Sequence, residues 1–441
     1  MKKFCLFLML LVSFSLSAER RCINEVMDIA KPFLKHKKAQ RCMPSHEVLN
    51  LSAEQTDEAF YVVTADGADG FVIVSADTEM PTVLAVSDKP FIQDRDRMPE
   101  GMKLVLESYN EMYNRIASGK EQTEDIIPVY HKQAAYPDAV APLLGGIEYD
   151  QGDPFNRLCP AVGSNRTLTG CVATALSMIM RYYRYPSVGK GTYHFGVEDT
   201  GKSYDVDIST LPFDWSKIRE NYRRGEYTEE EADAVAKLLY AVGAAIGMDY
   251  GFAGSGASSK NVKSTMINAF DYKSDMVYVD YEGNQQPYDD WVPTIQEELI
   301  AKRPVYFSGS KGGVGHAFVL DGYMGNYTGS DMFDPSAWVE AVLFHVNWGY
   351  SGEFNGYFHL NYLRQSDERD DKGAYKYDNY GAFRCQFVIG LQPSHATAIT
   401  EQQVRQLSDG TIYDILGRVV NENQLQQGML YIQDGKKFIF R

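Results

Sequence analysis

The sequence predicts an α+β protein, and three observations carry that reading. Between about residues 142 and 303 the apolar residues recur at helical spacing, and after Pro304 they gather in short strand-like runs. Ahead of both, residues 59–116 form a smaller hairpin-plus-helix pattern of their own. With 441 residues, the chain is long enough for at least two domains. A hydrophobic fraction of 44% with 13% aromatic residues is that of a globular protein. The balance of 43 basic against 59 acidic residues, a formal charge of −16, argues against nucleic acid as a partner.

Met1-Lys2-Lys3 followed by the apolar run Phe4 to Leu16 reads as a secretory signal, too short to span a bilayer, with small residues Ser15, Ser17 and Ala18 at its end. No second long apolar run follows, so the expected product is soluble and periplasmic or extracellular. The basic segment Lys31 to Lys38 is expected to be helical and exposed. Phe60 to Val63, Gly70 to Ser75 and Thr82 to Ser87 read as strands, the first two joined by the turn signal Asp66-Gly67. Met102 to Ile116 reads as an amphipathic helix, and Ser118 to Tyr136 as a polar linker open to proteolytic nicking.

The second domain begins near Pro142. Its first marked element is Gly170 to Tyr183, a glycine turn opening into a helix with Val172, Ala175, Leu176, Ile179 and Tyr183 on one face. Thr228-x-x-Glu231 is a capping box that opens a helix reaching about Gly247. A small-residue loop around Ser255 and helices over 261–270 and from Pro293 towards Pro304 follow. Strands are then expected at Val305 to Phe307, His316 to Tyr323, Ala341 to Trp348 and Gly356 to Leu360. The charged run Asp367 to Gly373 reads as a solvated loop. After Pro393, Thr411 to Val420, Gly428 to Ile432 and Lys437 to Phe440 make a short β module, small for an independent core.

The chemistry starts at Cys171, placed at a helix N-terminus where the dipole and free N–H groups favour a thiolate. A thiol nucleophile needs a base. Of the eight histidines, His316 stands out because Gly312-Gly313-Val314-Gly315 delivers it to the head of a buried strand, 145 positions after Cys171. Asn347 or Trp348 on the next strand could orient the imidazole, with the indole also shielding the pair from water. His345 reads as structural. The N–H of Cys171 is one candidate oxyanion donor. No metal-ligand spacing such as Cys-x-x-Cys or His-Glu-x-x-His appears, and no cofactor is implied. Cys22 and Cys42 could pair, and a Cys159–Cys385 bridge that leaves Cys171 as a thiol is the expected arrangement further along.

These pieces together resemble the streptopain family of secreted cysteine peptidases. The resemblance is carried by Tyr149 to Asn156, Thr169-Gly170-Cys171-Val172-Ala173-Thr174-Ala175 and Met248-Asp249-Tyr250-Gly251. It continues through Arg303 to Phe307, Gly315-His316-Ala317-Phe318-Val319-Leu320-Asp321-Gly322 and Phe344 to Tyr350, over roughly residues 142–393. It implies a papain-like catalytic domain, with a helical part and an antiparallel β part, behind a small α+β prodomain. It puts the nucleophile on Cys171, the base on His316 and the site tryptophan on Trp348. A side-chain amide for the oxyanion falls on Gln151, and substrate contacts fall on Ser255 and Gly315. It also implies a bulky hydrophobic residue one position before the residue at the cleaved bond.

The first domain is similar to the family's inhibitory propeptide, through Gly70 to Asp77. The last module resembles the sorting tails of a Gram-negative outer-membrane export route, through Tyr413-Asp414, Gly417-Arg418 and Lys436-Lys437-Phe438. Two departures stand out: Tyr350 occupies the place of a second tryptophan, and Leu363 to Tyr380 is charged where the family carries a glycine-rich loop. The expected organisation is a signal over 1–18, a propeptide over 19–135, a peptidase domain over 136–393 and a β module over 394–441. The expected partners are protein or peptide substrates and the chain's own propeptide, with no nucleic acid and no membrane span, and a monomer after processing. A non-catalytic binding homologue and an acyltransferase on the same scaffold are the alternatives.

Overall fold

The computed structural model describes residues 20–34, 39–50, 58–65, 70–118, 136–197, 200–223, 225–251, 254–280, 291–325, 342–360, 384–395, 412–414, 419–425, 430–433 and 436–440. The expected signal, the linker over 119–135 and the charged runs at 363–380 lie outside the described residues.

The N-terminal part comprises α1 (Ile23–Ala30), β1 (Ala39–Pro44), α2 (Ser45–Leu49), β2 (Phe60–Ala65), β3 (Phe71–Ser75), β4 (Val83–Ser87) and α3 (Glu100–Ala117). Of the expected exposed helix at Lys31 to Lys38, only residues 31–34 are described, and they do not form an α-helix. Lys31–Phe33 is a single 3-10 turn, and Phe33 and Leu34 are buried beneath it. Reading the segment by its charges overlooked that apolar pair, which tertiary burial claims.

Next come β5 (Ala139–Val140), β6 (Ala161–Val162), β7 (Asn165–Arg166) and α4 (Cys171–Tyr183). They are followed by β8 (Thr192–Val197), β9 (Lys202–Asp207), α5 (Glu229–Ile246), β10 (Asp249–Tyr250), α6 (Val262–Phe270), β11 (Val277–Asp280) and α7 (Trp291–Ile300). The chain then turns to β12 (Val305–Lys311), β13 (Val314–Met324), β14 (Leu343–Asn347), β15 (Gly356–Phe358) and β16 (Arg384–Ile389). In this second part α4 to α7 therefore all precede strands β12 to β16. The capping box forms as the sequence predicts, with Thr228 and Glu231 each closing on the other's backbone N–H. Helix α4 is buried along its whole length rather than on one face, because β13 packs on it from one side and α5 from the other. The last part is a small antiparallel sheet of β17 (Ile412–Asp414), β18 (Val419–Val420), β19 (Leu430–Gln433) and β20 (Lys436–Ile439), in the order β18-β17-β19-β20.

The large sheet does not stop at the end of the N-terminal part. Its order is β1-β2-β3-β4-β15-β14-β13-β12-β16-β11, with β5 pairing β13, so the strands of the first part and of the peptidase-like part form one antiparallel sheet. The seam is β4 on β15, with Tyr357 opposite Val86 and Phe358 opposite Ala85. Period-two alternation sends Val62 and Ile73 to one face and Val63 and Val72 to the other. On the first face Met102, Leu106 and Tyr109 of α3 share a core with Val172 and Leu176 of α4. On the second, Val26 and Ala30 of α1 join Leu343 and Tyr357. Both cores cross the seam.

Buried polar groups lock it further. The Tyr109 hydroxyl bridges the carbonyls of Leu84 and His359, each at 2.9 Å, and the His359 N–H donates to Leu84 at 2.8 Å. The His359 ring is fully buried at this seam, and burial pushes its pKa down to about 3. An unfolded histidine gains its proton near pH 6.5, so the stability that rests on a neutral His359 is whole above that pH. It is lost as pH falls from about 6.5 to about 3, at up to about 1.4 kcal/mol per pH unit. His359→Gln is expected to flatten that part of the decline, measured by urea unfolding at pH 7, 5.5 and 4.5. Parallel declines for the two proteins would assign the acid sensitivity elsewhere.

Candidate active site

Two local structures bring the site together. The first is the start of α4. Gly170 precedes Cys171 at φ +84°, a backbone conformation that side chains rarely adopt. A Cβ there would also lie 2.6 Å from the Met248 sulfur and 3.0 Å from the Ser255 carbonyl. The turn is held on both sides: the Thr169 N–H donates to the Gln151 carbonyl at 3.1 Å, and the Thr174 hydroxyl donates back to Gly170 at 3.1 Å. Cys171 is thus the first helical residue, and its N–H has no partner within the helix.

The second is the β12–β13 hairpin, closed by Gly312-Gly313, both at positive φ. Three residues past that turn His316 lies opposite Gly309 and is 4% exposed. Its ring and the backbone N–H groups of Ala317 and Val172 face the Cys171 sulfur. Burial pushes the Cys171 thiol up, but the nearby His316 imidazole and the two N–H groups outweigh it and hold the thiol below its ordinary value. Burial likewise opposes charge on His316. The Cys171 sulfur, the Trp348 carbonyl and the Glu100 carboxylate overcome it and leave the imidazole above its ordinary value. The other buried thiols behave in the opposite way: burial raises Cys159 to about 12 and raises Cys385 as well. No disulfide joins those two, so the expected Cys159–Cys385 bridge is corrected, as is the possible Cys22–Cys42 pair. Cys159 is instead buried among apolar side chains, and Cys385 lies in β16 opposite Gly309.

Of the two residues considered for orienting the imidazole, the structure brings Trp348 to it. His316 Nε2 donates to the Trp348 main-chain carbonyl at 2.8 Å. Asn347 does not reach the ring: its amide donates to Ile147 at 2.7 Å and accepts from Gly349 at 3.2 Å. The Trp348 indole is fully buried between Phe318 and Phe358. Gln151 sits in the turn tied to Thr169, two residues before the thiol. The Ser255 hydroxyl ties its loop to the segment that leads into Cys171, donating to the Leu168 carbonyl at 2.7 Å and accepting from the Gly251 N–H at 3.2 Å. Gly315 is exposed at the rim beside His316. His345 bonds Asp321 at 2.5 Å and lies away from the thiol.

Four groups escape a reading of the sequence: the Ala317 N–H, the Tyr350 ring 5.5 Å from His316, and Glu100 and Gly101 at the start of α3. Glu100 lies near the Tyr350 hydroxyl, and a Cβ at Gly101 would lie 2.8 Å from the Trp348 ring and 2.9 Å from His316. The N-terminal part therefore covers the imidazole. No sequence signal marks a glycine for this contact.

Comparison with known proteins follows the same division of the chain. Residues 149–358 match the model of the Peptidase C10 family, and residues 18–113 match that of the Spi protease inhibitor. The chain is 31% identical over 354 residues to the thiol protease/hemagglutinin PrtT of Porphyromonas gingivalis, covering 78% of this chain and 38% of that protein. It is 28% identical over 366 residues to streptopain of Streptococcus pyogenes, covering 78% of this chain and 83% of the other. Among solved structures, a prointerpain A fragment of Prevotella intermedia superposes with a TM-score of 0.61 at 26% identity, covering 77% of this chain and 98% of that one.

Proposed function

Residues 149–358 make this chain a member of the peptidase C10 family of cysteine peptidases, and from that premise we propose that it is an exported endopeptidase made as a zymogen. The single observation that carries the reading is the Cys171 sulfur at the head of α4 beside the His316 imidazole, whose Nε2 is held by the Trp348 carbonyl. Cys171 attacks the peptide carbonyl, and its N–H with the Gln151 side chain receives the developing oxyanion. The His316 imidazolium gives its proton to the leaving amine as the thioester forms. It then takes a proton from the water that hydrolyses the thioester. Trp348 holds the ring through its carbonyl and screens it with its indole, and the rims at Ser255 and Gly315 receive the substrate backbone. Residues 19–135 act as the intramolecular inhibitor, leaving a peptidase that acts on proteins and peptides outside the cell. Among the described residues no helix is long and apolar enough to cross a membrane.

The pair needs a deprotonated thiol and a protonated imidazole. Activity is expected to rise with pH as the lowered thiol ionises and to fall as the raised imidazolium loses its proton. A bell-shaped kcat/KM profile on a peptide substrate, matched by the pH profile of Cys171 alkylation, checks this. A flat alkylation profile that ends only at an ordinary thiol pKa would count against a His316-paired nucleophile.

A further inference from the structure

The bond that orients His316 ends on a main-chain carbonyl in the loop between β14 and β15, and a loop carbonyl is only as well placed as the loop. Gly349, Ser351, Gly352 and Phe354 all take positive φ, so the segment is a succession of turns with no ladder of its own. We propose that Asn355 is a positioning residue for the reaction, whose side chain fixes the Trp348 main chain and through it the His316 ring. This rests on the reading of His316 as the acid–base group.

Asn355 is 6% exposed, and its Oδ1 accepts the Trp348 N–H at 3.1 Å. The neighbouring Phe354 carbonyl accepts the Trp348 indole N–H, also at 3.1 Å. The far end of the loop thus grips Trp348 by main chain and side chain at once, just where the chain presents its carbonyl to His316. Asn355 is further anchored by its own N–H to Gly352 at 3.3 Å. Its carbonyl accepts the Ser87 hydroxyl of β4 at 2.5 Å. That last contact belongs to the N-terminal part and goes when the prodomain goes. The Asn355–Trp348 bond lies wholly within the peptidase half and stays. In the processed enzyme it is the side-chain tie that keeps the carbonyl aimed.

The test compares Asn355→Leu, which keeps the size and removes the acceptor, with Asn355→Asp, which keeps the acceptor. Each is made as the full chain and trimmed by a trace of affinity-tagged wild type that is then removed. The leucine variant is expected to lose up to about a hundred-fold in kcat, with KM within about two-fold. Its alkaline limb should move to lower pH, and iodoacetamide should alkylate Cys171 more slowly at acid pH. Asn355→Asp is expected to recover most of the rate and the wild-type limb. If the leucine variant does not fold, Asn355→Ser, too short to reach Trp348, is read in the same way. A wild-type pH profile in the acceptor-free variant, or an equal loss in Asn355→Asp, overturns the positioning role. A wild type with no thiol-dependent turnover in the same assay overturns the peptidase reading itself.

Discussion

Cys171→Ala is expected to leave the full chain uncleaved over hours at neutral, mildly reducing pH, and to lower peptidase activity at least about 10⁴-fold. The magnitude follows from the role: no other thiol of the site is poised, since Cys159 is held near 12 and Cys385 is raised by burial. The fold should be untouched. The thiol is the first residue of α4, and the turn before it is held by Gly170, Thr169 and Thr174 rather than by the sulfur. Intact mass of wild type and variant, with casein as a second substrate, reads both effects. Shrinkage of the wild type alone to a product beginning near residues 118–142 would assign nucleophile and propeptide together. If neither protein changes, trimming by an added protease is the next step, and inactivity after trimming would favour a non-catalytic homologue.

Gly101→Leu is expected to have the second largest effect, in the opposite direction. Even one added carbon at this position would meet the Trp348 ring at 2.8 Å and His316 at 2.9 Å. Neither neighbour can yield, because the indole is fully buried in an aromatic group and the imidazole is bonded at Nε2. The start of α3 must therefore lift, at a cost of about 1–3 kcal/mol. That corresponds to roughly a ten- to hundred-fold weaker cover over the site. Self-processing should accelerate accordingly, while the trimmed enzyme, which lacks residue 101, should match wild type. Unchanged processing with an unchanged melting temperature would show that α3 does not press on the imidazole.

Much of this site is legible in the sequence because it depends on local rules. A glycine turn before an apolar helix places Cys171, and a two-glycine hairpin places His316 at the head of a strand. The order of the main helices and of β12 to β15 follows from periodicity, but β8, β9, β11 and β16 escaped it; β9, exposed except at Val206, shows no alternation. What stayed hidden depends on main-chain atoms and distant pairings. Asn347 carries the side chain that sequence reasoning seeks, yet the ring is oriented by the carbonyl of its neighbour, and no residue type announces a carbonyl. Gly101 and the β4–β15 seam belong to contacts between segments hundreds of positions apart, and Asn355 acts through a turn rather than a periodic element. Residues 31–34 departed from expectation for a related reason: their charge is local, and the burial of Phe33 and Leu34 is not.

The shared sheet also sets an order of events in time. A ribosome delivers β4 and α3 well before β13, β14 and β15, so the cover exists before the thiol's partner has been made. The strand that receives β4 is also the strand that closes the loop carrying Trp348. Long-range pairing of this kind is slow to form. The pairing that seats the cover therefore falls on the strand that also closes the Trp348 loop, so cover and loop share one strand as the chain folds.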